Sequence, residues 1–273
     1  MKHFRFAFFG AVLCLALLTA LAGNASADVC TGSCGTSGAD GAVPLSPTGN
    51  TSYQWVSTNG GVEGVGTIPV GTPQGNETDG STLATSIFAV NANSALNFYF
   101  NYVTSDGTAS FPDYAWVELF DSSNNPVALL FTAATAPGAV PIVPNPNLQQ
   151  PDAGVTLNPS SVLITTGLGS TTWSPLGFSS GDCFGGFGQG CGNTGWVNST
   201  YNISNAGAYY LKFGVVNAGD QALDSGLAFD GIAVNGVPIG EPGEPPVGTP
   251  EPSSLALLGV GLIGVTATKL LKK

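Results

Sequence analysis

Histidine is almost missing from this chain. Its single copy, His3, lies in an N-terminal stretch that reads as a targeting segment, which leaves the remainder without an imidazole. That excludes Ser–His and Cys–His nucleophile systems and histidine metal sites. Positive charge is nearly as scarce. Of six basic residues, Lys2 and Arg5 stand at the start and Lys269, Lys272 and Lys273 at the end, so Lys212 alone belongs to the middle. Against it stand sixteen carboxylates from Asp28 to Glu244, a formal charge of −15. Such a surface repels phosphate backbones and anionic headgroups, which argues against a nucleic-acid partner. Sustained helical periodicity is absent too. The middle is instead rich in Gly, Ser, Thr and Asn.

The ends are distinct from that middle. Lys2 and Arg5 precede an apolar run from Phe6 to Leu21, and Ala25-Ser26-Ala27 offers small residues to a signal peptidase. Residues 1–27 therefore read as a signal peptide, with the mature chain starting at Asp28. Residues 239–249 form a Pro-rich spacer that denies a helix its donors. An apolar run from Leu255 to Leu271 follows, just long enough for a membrane-spanning helix, and it closes on Lys272-Lys273.

Pro250-Glu251-Pro252, that span and the short basic end, taken in order, resemble the PEP-CTERM sorting signal of Gram-negative bacteria over residues 250–273. The resemblance implies processing by an exosortase after export, cargo tied to exopolysaccharide or biofilm formation, and transient inner-membrane anchoring. The final location it implies is the cell surface, outer membrane or extracellular matrix. Gly259, Gly261 and Gly264 also spell G-x-G-x-x-G, but no strand precedes them and no βαβ unit surrounds them, so a nucleotide site is not inferred.

Cysteine usage agrees with export. Cys14 leaves with the signal peptide, and Cys30, Cys34, Cys183 and Cys191 remain as an even four for two disulfides. Three pairings are possible. Cys30–Cys34 and Cys183–Cys191 are favoured because each closes a short glycine-rich loop.

Residues 28–238 read as one all-β domain. Strand-type alternation marks residues 53–57, 83–90, 95–103, 114–120, 127–131, 196–200, 209–216 and 227–234. Asp121–Asn125 reads as a hairpin loop, and residues 133–153, with five prolines, as a long exposed loop. The expected architecture is a two-sheet antiparallel β-sandwich of jelly-roll type.

Chemical signals in the body are weaker. Asp224-Ser-Gly-Leu-Ala-Phe-Asp230 is similar to the closing strand of exported jelly rolls. That likeness implies a structural calcium held by Asp224 and Asp230, with Glu77 and Asp79 as partners from an early loop. Turn residues and strand caps are the plainer reading of the same aspartates. Trp173 and Trp196 offer rings that could stack on sugars, or else pack in the core. Segments 98–106, 173–196 and 224–230 resemble a recurrent group of PEP-CTERM proteins, which implies no activity. Glu63, Glu77 and Glu118 are candidates for a histidine-free glycoside hydrolase, but no spacing selects a pair. The expectation is a surface or matrix protein without catalytic activity, with a carbohydrate-binding module as the alternative and a glycoside hydrolase behind both.

Overall fold

The computed structural model describes residues 28–69, 75–136, 138, 140–186 and 190–239. The signal peptide, most of the spacer and the sorting tail with its apolar run lie outside the described residues. Among the described residues no helix is long and apolar enough to cross a membrane.

The strands are β1 (Val29–Thr31), β2 (Ser33–Ser37), β3 (Tyr53–Ser57), β4 (Val62–Glu63), β5 (Glu77–Ala84), β6 (Phe88–Val90), β7 (Ser94–Thr104) and β8 (Tyr114–Asp121). They continue with β9 (Pro126–Ala134), β10 (Thr156–Asn158), β11 (Gly192–Asn193), β12 (Val197–Ile203), β13 (Gly207–Ala218), β14 (Ser225–Val234) and β15 (Val237–Pro238). A short 3-10 turn spans Ser174–Ser179. All strand pairing is antiparallel.

Two sheets result. The first runs β1-β5-β13-β8-β9, with β4 on β5 and β6 on β13. The second runs β10-β12-β7-β14-β3-β2, with β11 on β7 and β15 on β14. Between β3 and β14 the chain passes back and forth, so that β5-β13-β8-β9 faces β12-β7-β14-β3. That eight-strand connectivity is a jelly roll.

Alternation along β7 explains why this segment is a central strand. Leu96, Phe98, Phe100 and Tyr102 are buried, whereas Asn97 and Tyr99 are half-exposed. Phe100 stacks on Phe131 from the other sheet at 3.6 Å between centroids, and Phe213 stacks on Phe229 at 3.7 Å. These pairs join the layers by apolar burial and ring geometry.

Loops cover both outer faces. Ile68 and Leu148 pack on Tyr114, Trp116 and Val216 over the first sheet, which gives the Pro-rich loop its role as a cover. Val43, Trp173 and Leu176 pack on Tyr53, Val103 and Ala228 over the second.

Both expected disulfides are present. Cys30–Cys34 has a Cα–Cα separation of 6.2 Å, and Cys183–Cys191 one of 5.7 Å. Cys30 lies in β1 on one sheet and Cys34 in β2 on the other, so this bridge staples the point where the chain crosses between layers. Gly32 makes that crossing at φ +92°, with the Ser81 side chain where a Cβ would go.

Candidate functional site

The four carboxylates expected to ligate calcium do not form one site. Glu77 and Asp79 belong to strand β5 rather than to a loop. Asp224 precedes β14 and Asp230 lies within it. Six residues of extended chain separate those two by about 20 Å. Asp230 faces away from the sandwich interior and binds a loop: it accepts from Ser46 Oγ, from Thr48 Oγ1 at 2.7 Å and from Asn50 Nδ2 at 2.9 Å. The 46–50 loop, not Asp79, answers this carboxylate. Glu77 accepts from Tyr114 Oη at 2.9 Å.

Trp173 is likewise not a sugar platform. It is 0% exposed, donates Nε1 to Tyr53 Oη at 2.9 Å and packs against Gly226, where a Cβ would strike its ring. A ring sealed on all sides has no face to offer a ligand. Trp196 is half-buried, edge-on to Tyr53, and donates Nε1 to Pro44 O at 2.9 Å. Its neighbours on the outer face of the second sheet form a polar strip, with Asn198, Tyr99 and Asp230 side by side on β12, β7 and β14, and Thr200 beside Asn97 one rung on.

A group of carboxylates gathers at one end of the sandwich, where β7 and β13 finish and β8 and β14 begin. Asp113 is buried there; it accepts from the Ala218 N–H at 2.9 Å and from Ser225 Oγ at 2.7 Å. Asp224 accepts from Thr58 Oγ1 at 3.1 Å and Ser179 Oγ at 2.8 Å. Asp79 accepts from Asn217 Nδ2 at 3.1 Å.

Burial, then the nearby Asp220 charge, push the Asp106 carboxyl up to about 7. Burial also holds the Asp113 carboxyl well above the ordinary carboxylate range, opposed by its two donors and helped by Asp106 and Asp220. Asp224 is raised by burial, against its hydroxyl donors. Burial disfavours the charged form of a carboxyl, and a like charge nearby does the same. Of this group, Asp79 and Asp224 are among the residues expected from the sequence, and Asp106 and Asp113 are not. The Thr104-Ser-Asp106-Gly turn was the available signal, but it looks like any other turn.

Comparison with known families and structures adds the tail. Residues 249–270 match the PEP-CTERM protein-sorting motif. The chain therefore carries a signal for exosortase-targeted export. No curated protein matches it. Among solved structures, the body is similar to the K3 cleaved adhesin domain of Lys-gingipain from Porphyromonas gingivalis W83, at 12% identity over 74% of this chain and 90% of that one, TM-score 0.31. A structure described as "CBM4 structure and function" follows at 7% identity, over 66% and 92%, TM-score 0.24. The family 11 carbohydrate-binding module from Clostridium thermocellum shares 10% identity over 70% and 87%, TM-score 0.16.

Proposed function

We propose that this chain is an exosortase-processed protein of the cell surface or extracellular matrix, whose jelly-roll body acts by binding or by structure rather than by catalysis. The observation that carries the proposal is the sorting motif at residues 249–270, joined through a Pro-rich spacer to an exported-type body. Signal peptidase and an exosortase are its processing partners, and exopolysaccharide is the matrix it would meet. Chemistry in the body supports the non-catalytic part. No histidine stands after residue 3. Glu118, the hydrolase candidate whose carboxyl is raised to about 7, is 1% exposed, which supports a structural place for it rather than a catalytic one.

Intact-mass analysis of protein recovered from an exosortase-bearing host tests the sorting. The surface-exposed form is expected to lack Leu255–Lys273; a mature form that still ends at Lys273 overturns the reading.

One observation favours a second reading, glycan binding. Tyr99 presents a half-exposed ring with amide and hydroxyl neighbours from Asn97, Asn198 and Thr200 on the outer face of the second sheet. A ring beside neutral hydrogen-bonding groups suits a sugar. A glycan array comparing wild type with Tyr99→Ala is the check: selective signal lost in the variant supports glycan binding, and a blank array removes it.

A further inference from the structure

Three buried oxygens at the carboxylate end lack hydrogen-bond partners. Asp106 is 2% exposed, and its Oδ1 has none. Two residues on, Thr108 Oγ1 has none either, although the Thr108 backbone N–H serves the Asp106 carboxyl. Asn217, 1% exposed, gives Nδ2 to Asp79 and leaves its Oδ1 unanswered. Folded proteins leave few such atoms, and each one points to a water or an ion.

The surroundings choose between those two. The loop after β13 packs on the loop after β7, Gly219 lying against Phe111 and Ser110, and the Asp220 charge acts on both Asp106 and Asp113. The body's one lysine, Lys212, is on β13 opposite Glu118, well along the strand from this end. A water would satisfy an oxygen and leave the carboxylates repelling one another, whereas a cation answers both. Among the described residues no three carboxylates converge on one point. The ion must therefore be completed by neutral protein oxygens and water, and irregular ligation from two loops suits calcium's flexible geometry better than the strict octahedron of magnesium.

We propose that this end binds a hard divalent cation of calcium type between the loop that follows β7 and the loop that follows β13. Asp106 and Asp220 supply the charge, and Thr108 Oγ1 is a neutral ligand. The site is distinct from Asp230, whose carboxylate is already occupied by the 46–50 loop.

The experiment uses the exported mature protein, stripped with chelator and held at one pH and ionic strength. Thermal unfolding is followed as calcium is added, with magnesium as the control. At a hundredfold excess over Kd, a single site that binds only the folded state raises Tm by roughly 5–10 °C for a domain of this size. The rise is expected to saturate, to be smaller with magnesium, to disappear in Asp106→Asn and Asp220→Asn, and to survive in Asp230→Asn. Asp220 sits at a partly exposed loop, so its variant keeps the test valid should Asp106→Asn fail to fold. Calorimetric titration of the wild type reads the stoichiometry directly, with one calcium expected. No response, a non-saturating response equal for both ions, or a full response in Asp220→Asn overturns the proposal.

Discussion

Glu118 lies opposite Lys212 in the β8–β13 register, yet no hydrogen bond reaches its buried Oε2. Burial, helped by Asp152 and opposed by Lys212, lifts its carboxyl from an ordinary 4.5 to about 7. The folded chain therefore holds this proton to higher pH than the unfolded chain does. Its contribution to stability is full below about 4.5 and is lost as pH rises through about 7. Glu118→Gln keeps the shape and removes the titration. Melting curves from pH 4.5 to 8 are expected to show the variant gaining on wild type as pH rises, with the gap closing under acid. A variant that parallels wild type at every pH would show that this carboxyl is not shifted.

At the scale of strands, the crossing between β1 and β2 is an exposed join between the two sheets. Each is an edge strand of its own sheet, and the Cys30–Cys34 bridge closes a loop of only five residues. Chain entropy assigns such a loop roughly 2 kcal/mol. Replacing both cysteines by serine should cost about that much globally. It should also speed hydrogen exchange of β1 and β2 ahead of the central strands. Uniform exchange across both sheets would mean that the bridge does not guard this edge.

These two strands also show where sequence reading stops. Strands with alternating large apolar residues, such as β3, β7, β8 and β14, are legible because these residues fall on one face of each. The Asp121 hairpin was legible from its turn residues, and there Asp121 Oδ1 accepts from the Ser123 and Asn125 N–H groups as such turns do. β1, β2 and the first half of β5 carry Gly, Ser, Thr and Asp, so no hydrophobic pattern announced them. In β5 these residues face hydroxyl and amide partners at a polar end of the interior. Local disulfides could be inferred from spacing. The meeting of Asp106 with Asp220 could not, because it depends on the jelly-roll path that brings the ends of β7 and β13 together.

As a whole, the body is polarised along its length. The carboxylate end lies where β14 begins, and the chain leaves after Ile239, beside Ile232 near the other end of that strand. Binding chemistry at the carboxylate end is thus remote from the point where the tail departs. The scarcity of cations has a further effect, on proteolysis. A trypsin-type protease cuts after lysine or arginine, and between Asp28 and the tail it has one target, the Lys212–Phe213 bond. That bond sits in β13, held by β5 on one side and β8 on the other. Cutting there requires the sheet to come apart, so cleavage measures the open population rather than surface access. Native protein is expected to stay whole under trypsin, while urea-unfolded protein yields two fragments split after Lys212. Rapid cutting of the native form would mean that β13 opens on its own. An exported protein built this way is nearly invisible to every protease that reads positive charge, and it gains that resistance from composition before any sugar coat or partner is added.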